Sequence, residues 1–205
     1  GVIFSDLLSN ASLRHELLRA PAEETNITMR SFSSQDEPST TAGRRTVYQE
    51  RLDYAQNEIA AAFAPYIYEQ AQVVDTATFY FKGHPQLELD NEVRPRGSII
   101  YMSGFEPDRI RVLRGSWPGA ANAAAGSDTP MDVAVDTLGL ELLGLEVGQT
   151  MEVFPAASFT DPPSMTVRIA AEFERVDPED EFWFGVDSDF SLHNDRWIII
   201  PLFTT

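Results

Sequence analysis

The chain has 205 residues, of which 43% are hydrophobic and 11% aromatic, enough to bury a core in one large domain or two small ones. Its net charge of −17 offers no basic footprint for phosphate, so we expect no nucleic-acid partner. The absence of cysteine excludes disulfides, thiolate metal sites and cysteine nucleophiles. No signal peptide is visible, and no apolar run approaches the roughly 18 to 20 residues that span a bilayer.

The first third of the chain predicts two helices and a strand. A helix over residues 5–19 is capped by Ser5 or Asp6, and an alternating segment at 26–33 predicts a strand. Apolar residues at helical spacing then predict a long helix over 41–70, which Pro65 kinks or shortens. The stripe is interpreted as core packing, with its central face predicted to be buried: Leu52, Ile59 and Phe63.

Short strands dominate the remainder. Strands are predicted at 73–82, 98–102, 131–135, 149–154 and 165–175, the last with the cleanest alternation. A small-residue loop is expected at 117–130, and a short helix at 137–143 between Asp136 as its cap and Gly144 at its end. Residues 197–203 are apolar on both faces, which fits either a buried strand or the lead into a membrane helix.

Four short motifs follow one another in the second half. They are Arg114-Gly115-Ser116-Trp117-Pro118, Met131–Val135, Leu143–Thr150 and Asp177–Trp183. The series resembles the extracytoplasmic domain of MacB/FtsX-type ABC transporter permeases, in which a Gly-x-x-Pro segment, a Val-rich strand, an LGL-x-VGD-like turn and a DP-x-D-x-x-W loop occur in this order. Gln149 stands where the family commonly has Asp.

The resemblance implies a two-lobed α+β fold. A porter-like α+β lobe would comprise residues 1–95 plus 165–205, and a smaller, mostly β lobe would be inserted at 96–164. It also implies a domain on the extracytoplasmic side of the cell membrane, carried between flanking transmembrane helices. The expected function is to couple substrate or partner engagement outside to a separate cytoplasmic ATPase subunit or domain, with a second permease copy as a further partner.

No catalytic residue, cofactor or metal is expected. The resemblance implies none, and His15, His84 and His193 lie in dissimilar contexts. Asp187, Asp189 and Asp195 with His193 offer oxygen ligands for calcium, but the run lacks the glycine and the final acidic residue of an EF-hand loop, which favours a solvated acidic loop. A glycosidase needs two carboxylates on opposite sides of a cleft. The sequence places neither of two candidate pairs in this way: Glu172 with Glu174, and Asp177 with Glu179.

Two tryptophans are the candidate partner contacts, Trp117 and Trp183. Trp183 follows an acidic loop, and exposed aromatic side chains mark interaction sites. Trp183→Ala is therefore expected to leave folding intact while weakening transport. An alternative class remains open, a free-standing secreted acidic binding module or hydrolase.

Overall fold

The computed structural model describes residues 12–13, 15–16, 19–20, 40–67, 69–76, 78–82, 96–103, 107–119, 129–155, 164–183, 190, 193–194 and 197–205. The chain divides into two compact units, Gly1–Gln70 and Ala71–Thr205.

The first unit contains the predicted long helix. It runs through α1 (Thr41–Tyr54), a π-helical segment (Ala55–Ala60) and α2 (Ala61–Phe63), so it ends just before Pro65. The Thr40 hydroxyl caps its start by accepting from the Gly43 amide at 3.1 Å. Ser12, Leu13, His15 and Glu16 are helical and Arg19 lies in a turn, whereas the other residues of the predicted 5–19 helix and the 26–33 strand lie outside the described residues.

The predicted burial of the helix stripe is wrong, because none of its three central residues is buried. Leu52 and Ile59 are half-buried, but Phe63 is 41% exposed and the π-helical segment has no buried residue. A π turn closes i→i+5 hydrogen bonds and holds more residues than an α turn. Residues beyond Ala55 are therefore rotated away from the face that a continuous α-helix would give them.

The second unit is built of strands. They are β1 (Gln72–Asp75), β2 (Phe79–Phe81), β3 (Arg96–Ser103), β4 (Ile110–Gly115), β5 (Met131–Asp136), β6 (Thr150–Pro155), β7 (Met165–Arg175), β8 (His193–Asn194) and β9 (Trp197–Thr204). Short helical elements with described bounds accompany them: α3 (Thr137–Leu143) and the 3₁₀ turns Pro107–Arg109 and Glu181–Trp183.

Six of these strands close into a barrel. Hydrogen-bonded neighbours follow the order β3-β2-β6-β7-β5-β9, and β9 returns to β3. The closing pair is parallel, with Arg96 opposite Ile199 and Tyr101 opposite Thr204. The β5–β7 pair is also parallel, while the other ring pairs are antiparallel. β1, β4 and β8 extend the sheet beyond the ring, on β3, β7 and β9.

The predicted fold class is therefore wrong. The second unit is a mostly β closed barrel, rather than a porter-like α+β lobe with a smaller β lobe inserted in it. The strands of the ring come from residues 79 to 204. Its closing pair joins β3 and β9, which are distant in sequence. The residue ranges assigned to the two lobes stay a prediction.

Two cores lie on opposite faces of the strands. All six ring strands contribute to the first, which fills the barrel, and α3 adds Leu140 and Leu143 to it. The second core takes residues of β3, β5 and β9 that alternate with those of the first, together with Trp183. On β7 it takes Ala171 and Phe173, which follow a register shift against β5 that skips Ala170. Its largest members are aromatic: Phe173, Trp183 and Phe203.

Several local predictions are confirmed. The Asp136 carboxylate accepts from the Gly139 amide at 2.8 Å, which caps α3, and Gly144 ends that helix in the left-handed region with φ 61°. The alternating segment 165–175 is β7. Residues 197–203 lie within the strand β9, whose Ile200, Leu202 and Phe203 are buried.

Candidate functional site: the β4 edge and the Trp183 loop

The loop that follows β7, here called the Trp183 loop (Val176–Trp183), is folded around its own tryptophan. The Asp177 carboxylate accepts from the Glu179 amide at 3.0 Å, and the Asp177 carbonyl accepts from the Asp180 amide at 3.2 Å. The same carbonyl accepts from the indole Nε1 of Trp183 at 2.9 Å. The indole is 2% exposed, so the loop turns its tryptophan inward.

Trp183 and Trp117 belong to one cluster of aromatic rings. Trp183 contacts Phe190 edge-on at 5.3 Å between centroids, and Phe190 stacks on Phe203 at 4.9 Å. Phe173 joins the other side, 5.3 Å from Phe203 and 5.1 Å from Trp117. These edge-on and stacked contacts are the favoured geometries of aromatic pairs, and they fix the rings relative to one another.

The structure thus brings both candidate contact residues together, but inside the second core. Trp117 is half-buried and Trp183 is buried, so the exposure expected of Trp183 is wrong. Their role as partner contacts stays a prediction. The signal that points inward is the Asp-Pro turn, because the Asp177 carbonyl can accept from the indole N–H within the loop.

Two arginines border this aromatic cluster. The guanidinium of Arg109 lies 4.4 Å above the Phe182 ring and donates to the Asp180 carboxylate at 2.6 Å. Arg175 lies 4.4 Å above the Phe190 ring. Each combines a charge with an aromatic face, which is a favourable cation–π geometry.

An open pocket of about 200 Å³ lies beside Arg109. Its lining is mostly polar and comes from the start of β4 and the Trp183 loop: Asp108, Arg109, Val176, Asp177, Asp180 and Trp183. The Arg109–Asp180 ion pair is part of this lining, and Asp108 and Asp177 add two further acidic residues to it.

Strand β4 pairs with β7 through two arginine–glutamate contacts. Arg111 lies opposite Glu174 and donates to it at 2.7 Å, and Arg114 lies opposite Glu172 and donates to it through Nε. A register shift between Val112 and Arg114 marks a bulge. Because of the extra residue, Arg111 and Arg114 face the same side of the ladder although they are three positions apart.

Glu172 is held ionised by its neighbours. Its carboxylate is buried, and it accepts from Arg114 on one oxygen and from the Thr137 hydroxyl at 2.9 Å on the other. The hydrogen bond from Arg114 lowers the pKa of Glu172 and outweighs the opposing effect of burial. Glu172 and Glu174 each face an arginine, an arrangement that suits an ion-pair ladder and not a carboxylate pair sharing a proton.

Asp136 shows the opposite shift at the end of β5. Burial raises the pKa of this carboxyl, although its hydrogen bond from the Gly139 amide and the charge of Arg175 lower it in part. A carboxylate that also caps a helix is thus partly desolvated by the packing of that helix on the barrel.

Of the residues considered as calcium ligands, Asp187, Asp189 and Asp195 lie outside the described part of the chain, and so does His84. His193 lies in β8 and His15 in a helical turn. Among the described residues, no group of three or more His, Asp or Glu is placed to hold a metal ion.

Sequence reasoning missed the arginines of β4. Arg109, Arg111 and Arg114 lie within six residues of a chain that has 15 basic residues in all, and this local concentration was the available signal. The acidic partners Glu172 and Glu174 are two residues apart on β7, which is the spacing of one strand face.

Comparison with known proteins leaves the family open, since no family model and no curated protein matches the sequence. In the described part of the chain, every helix is too short or too polar to cross a membrane.

Proposed function

We propose that this chain is a non-catalytic extracytoplasmic domain of an ABC transporter permease. It would couple engagement of a substrate or partner outside the membrane to a separate cytoplasmic ATPase. The proposal rests on the ordered motif series, and one observation supports it. All four motif segments meet at a single strand, β7.

The contacts with β7 are direct. Gly115 of the first motif lies opposite Ala171, and the second motif, in β5, runs parallel to β7 from Met131 opposite Val167. In the third, the Gly148 amide donates to the Ile169 carbonyl at 2.7 Å. The fourth motif, Asp177–Trp183, follows β7 in the chain. The four motifs are therefore parts of one packed unit around β7.

The motif residues are also fixed by backbone geometry. Gly115 has φ 78°, and a Cβ at that position would lie 2.0 Å from the Ala170 carbonyl oxygen. Leu145 and Val147 pack against the barrel core. Such positions tolerate few other residues, which gives the resemblance a physical basis. The two lobes that the resemblance implied are not part of the proposal.

A topology experiment tests the location. Because the chain has no cysteine, Glu179→Cys in the exposed loop provides one thiol, after replacement of any cysteine elsewhere in the full-length protein. We expect a membrane-impermeant maleimide to label it in intact cells, with the protein in the membrane fraction. Val133→Cys, at a buried position, is the control that should react only after denaturation.

The outcomes separate the alternatives. Labelling in intact membranes, together with co-purification of an ATPase after cross-linking, supports the proposal. A labelled protein released into the medium supports a secreted module instead. Labelling that requires cell lysis would contradict an extracytoplasmic location.

A further inference from the structure

Strand β4 has one hydrogen-bonding edge in use. Among the described strands it pairs with β7 alone. The Val176 amide donates to the Arg109 carbonyl at 2.9 Å, so the backbone of position 109 faces β7. Since the direction alternates along a strand, the backbone groups of Ile110 and Val112 point to the opposite edge.

The side chains of this edge are exposed on both faces of the strand. Val112 and Leu113 are large apolar residues in solvent, and Leu113 is 42% exposed. On the other face, the side chains of Arg111 and Arg114 are 63% and 58% exposed. The edge therefore offers backbone donors and acceptors, apolar surface and positive charge within six residues.

Both arginines retain donors for another acceptor. The described contact of Arg114 uses Nε against the buried Glu172, and that of Arg111 uses one terminal nitrogen against Glu174. A guanidinium has five N–H donors, so each side chain is oriented by its glutamate while its exposed nitrogens face solvent.

We propose that the β4 edge binds an extended segment of a partner protein in which acidic and apolar residues alternate. β7 already pairs with β4 in this way, because its Glu172-Phe173-Glu174 stretch places two carboxylates on the arginine face and a ring on the other. A strand of the same pattern on the open edge would give Arg111 and Arg114 a second carboxylate each. Backbone pairing supplies affinity in such strand addition, and the side chains supply specificity.

The charge pattern disfavours a second copy as the occupant. In an antiparallel pairing of β4 with itself, centred between Val112 and Leu113, Arg111 would lie opposite Arg114 of the other copy. Like charges directly opposite each other are destabilising in a sheet. The same arginines that repel a second β4 strand attract an acidic one.

The test measures binding of a fluorescein-labelled synthetic peptide of alternating glutamate and valine to the 205-residue chain by fluorescence anisotropy. We expect saturable binding, and binding about tenfold weaker for the peptide with lysine in place of glutamate. Arg111→Glu should reverse this preference. Lys82→Glu is the matched control, since Lys82, which follows β2, is 61% exposed and forms an ion pair with Glu152 of β6.

Backbone pairing is tested separately. Methylating alternate peptide nitrogens on one side of the strand should abolish binding, whereas methylating the other set should not. Absence of saturable binding would overturn the proposal. So would equal loss with Lys82→Glu, equal tolerance of both methylated peptides, or self-association of the chain that Arg111→Glu alters, which would assign the edge to a second copy.

Discussion

At the scale of single residues, Trp183 holds the loop after β7 in place through packing and one hydrogen bond. Trp183→Ala should lower the free energy of unfolding by about 3–5 kcal/mol, because it empties a buried aromatic site. This replaces the expectation that folding would be unaffected, which assumed an exposed ring. Urea unfolding measures the effect.

Two further variants control this prediction. Trp183→Phe keeps most of the ring and loses the bond to the Asp177 carbonyl, so it should have a clearly smaller effect. Val176→Ala, at an exposed position of the same loop, should change stability by less than about 0.5 kcal/mol. Equal effects of all three would show that the loop does not depend on its indole.

Glu172 gives the protein a defined response to acid. Its folded-state pKa lies below the ordinary value of 4.5, because Arg114 donates to the ionised carboxylate. The stabilisation is therefore complete above that value and is lost as the pH falls through the folded pKa. Glu172→Gln should flatten this part of the stability curve, which urea titrations at a series of pH values would show.

The carboxyl of Asp136 changes the stability with pH in the opposite direction. The contribution of Glu172 is therefore measured as the difference between Glu172→Gln and the parent chain. The pKa of Asp136 is raised from 3.8, and its contribution is greatest below that value and is lost as the pH rises through the folded pKa. If Glu172→Gln and the parent chain lose stability in parallel on acidification, the Arg114 contact does not hold the carboxylate ionised.

At the scale of elements, α3 depends on its N-cap, Asp136, which is the last residue of β5. Asp136→Ala removes the acceptor of the Gly139 amide and should cost about 1 kcal/mol. Asp136→Asn keeps an acceptor and removes a desolvated charge, so its stability at neutral pH should match or exceed that of the parent chain. Thermal and urea unfolding of both variants test this, and an equal loss for both would contradict the capping role.

The elements that could be predicted are those whose signal is local. The cap at Asp136, the left-handed Gly144 and the alternation of β7 are all contained in fewer than about twelve residues, and the structure reproduces them. The β4 ladder was not predicted, because the bulge after Val112 changes the phase of its side chains. After α1, the π-helical segment (Ala55–Ala60) likewise breaks the periodicity on which the helix prediction rested.

At the scale of the whole molecule, closure of the barrel escaped prediction for a different reason. Periodicity shows that Arg96–Ser103 and Trp197–Thr204 are strands, but it does not show that they are neighbours. The contacts within the candidate site could not be predicted for the same reason. Trp117 and Trp183 were identified, yet the rings that connect them, Phe173 and Phe190, lie in other parts of the sequence.

The second unit contains enough buried hydrophobic residues to form a stable fold of its own. Every buried hydrophobic residue among those described lies between Phe79 and Phe203. A chain limited to residues 71–205 should therefore fold cooperatively, with the near-ultraviolet circular dichroism of its buried tryptophan environment retained. A fragment with secondary structure but no cooperative thermal transition would show that the first unit is needed.

The pairing of β3 with β9 also sets when the barrel can form on the ribosome. Residue 96 pairs with residue 199, so β3 cannot pair with β9 until β9 has been synthesised. Until then, both β3 and β5 lack β9, the strand that lies between them in the ring. Loop closure of this length slows folding, and the nascent chain presents an open, apolar sheet throughout that interval. The many acidic residues of the chain then limit aggregation during synthesis, because their mutual repulsion keeps unfinished chains apart.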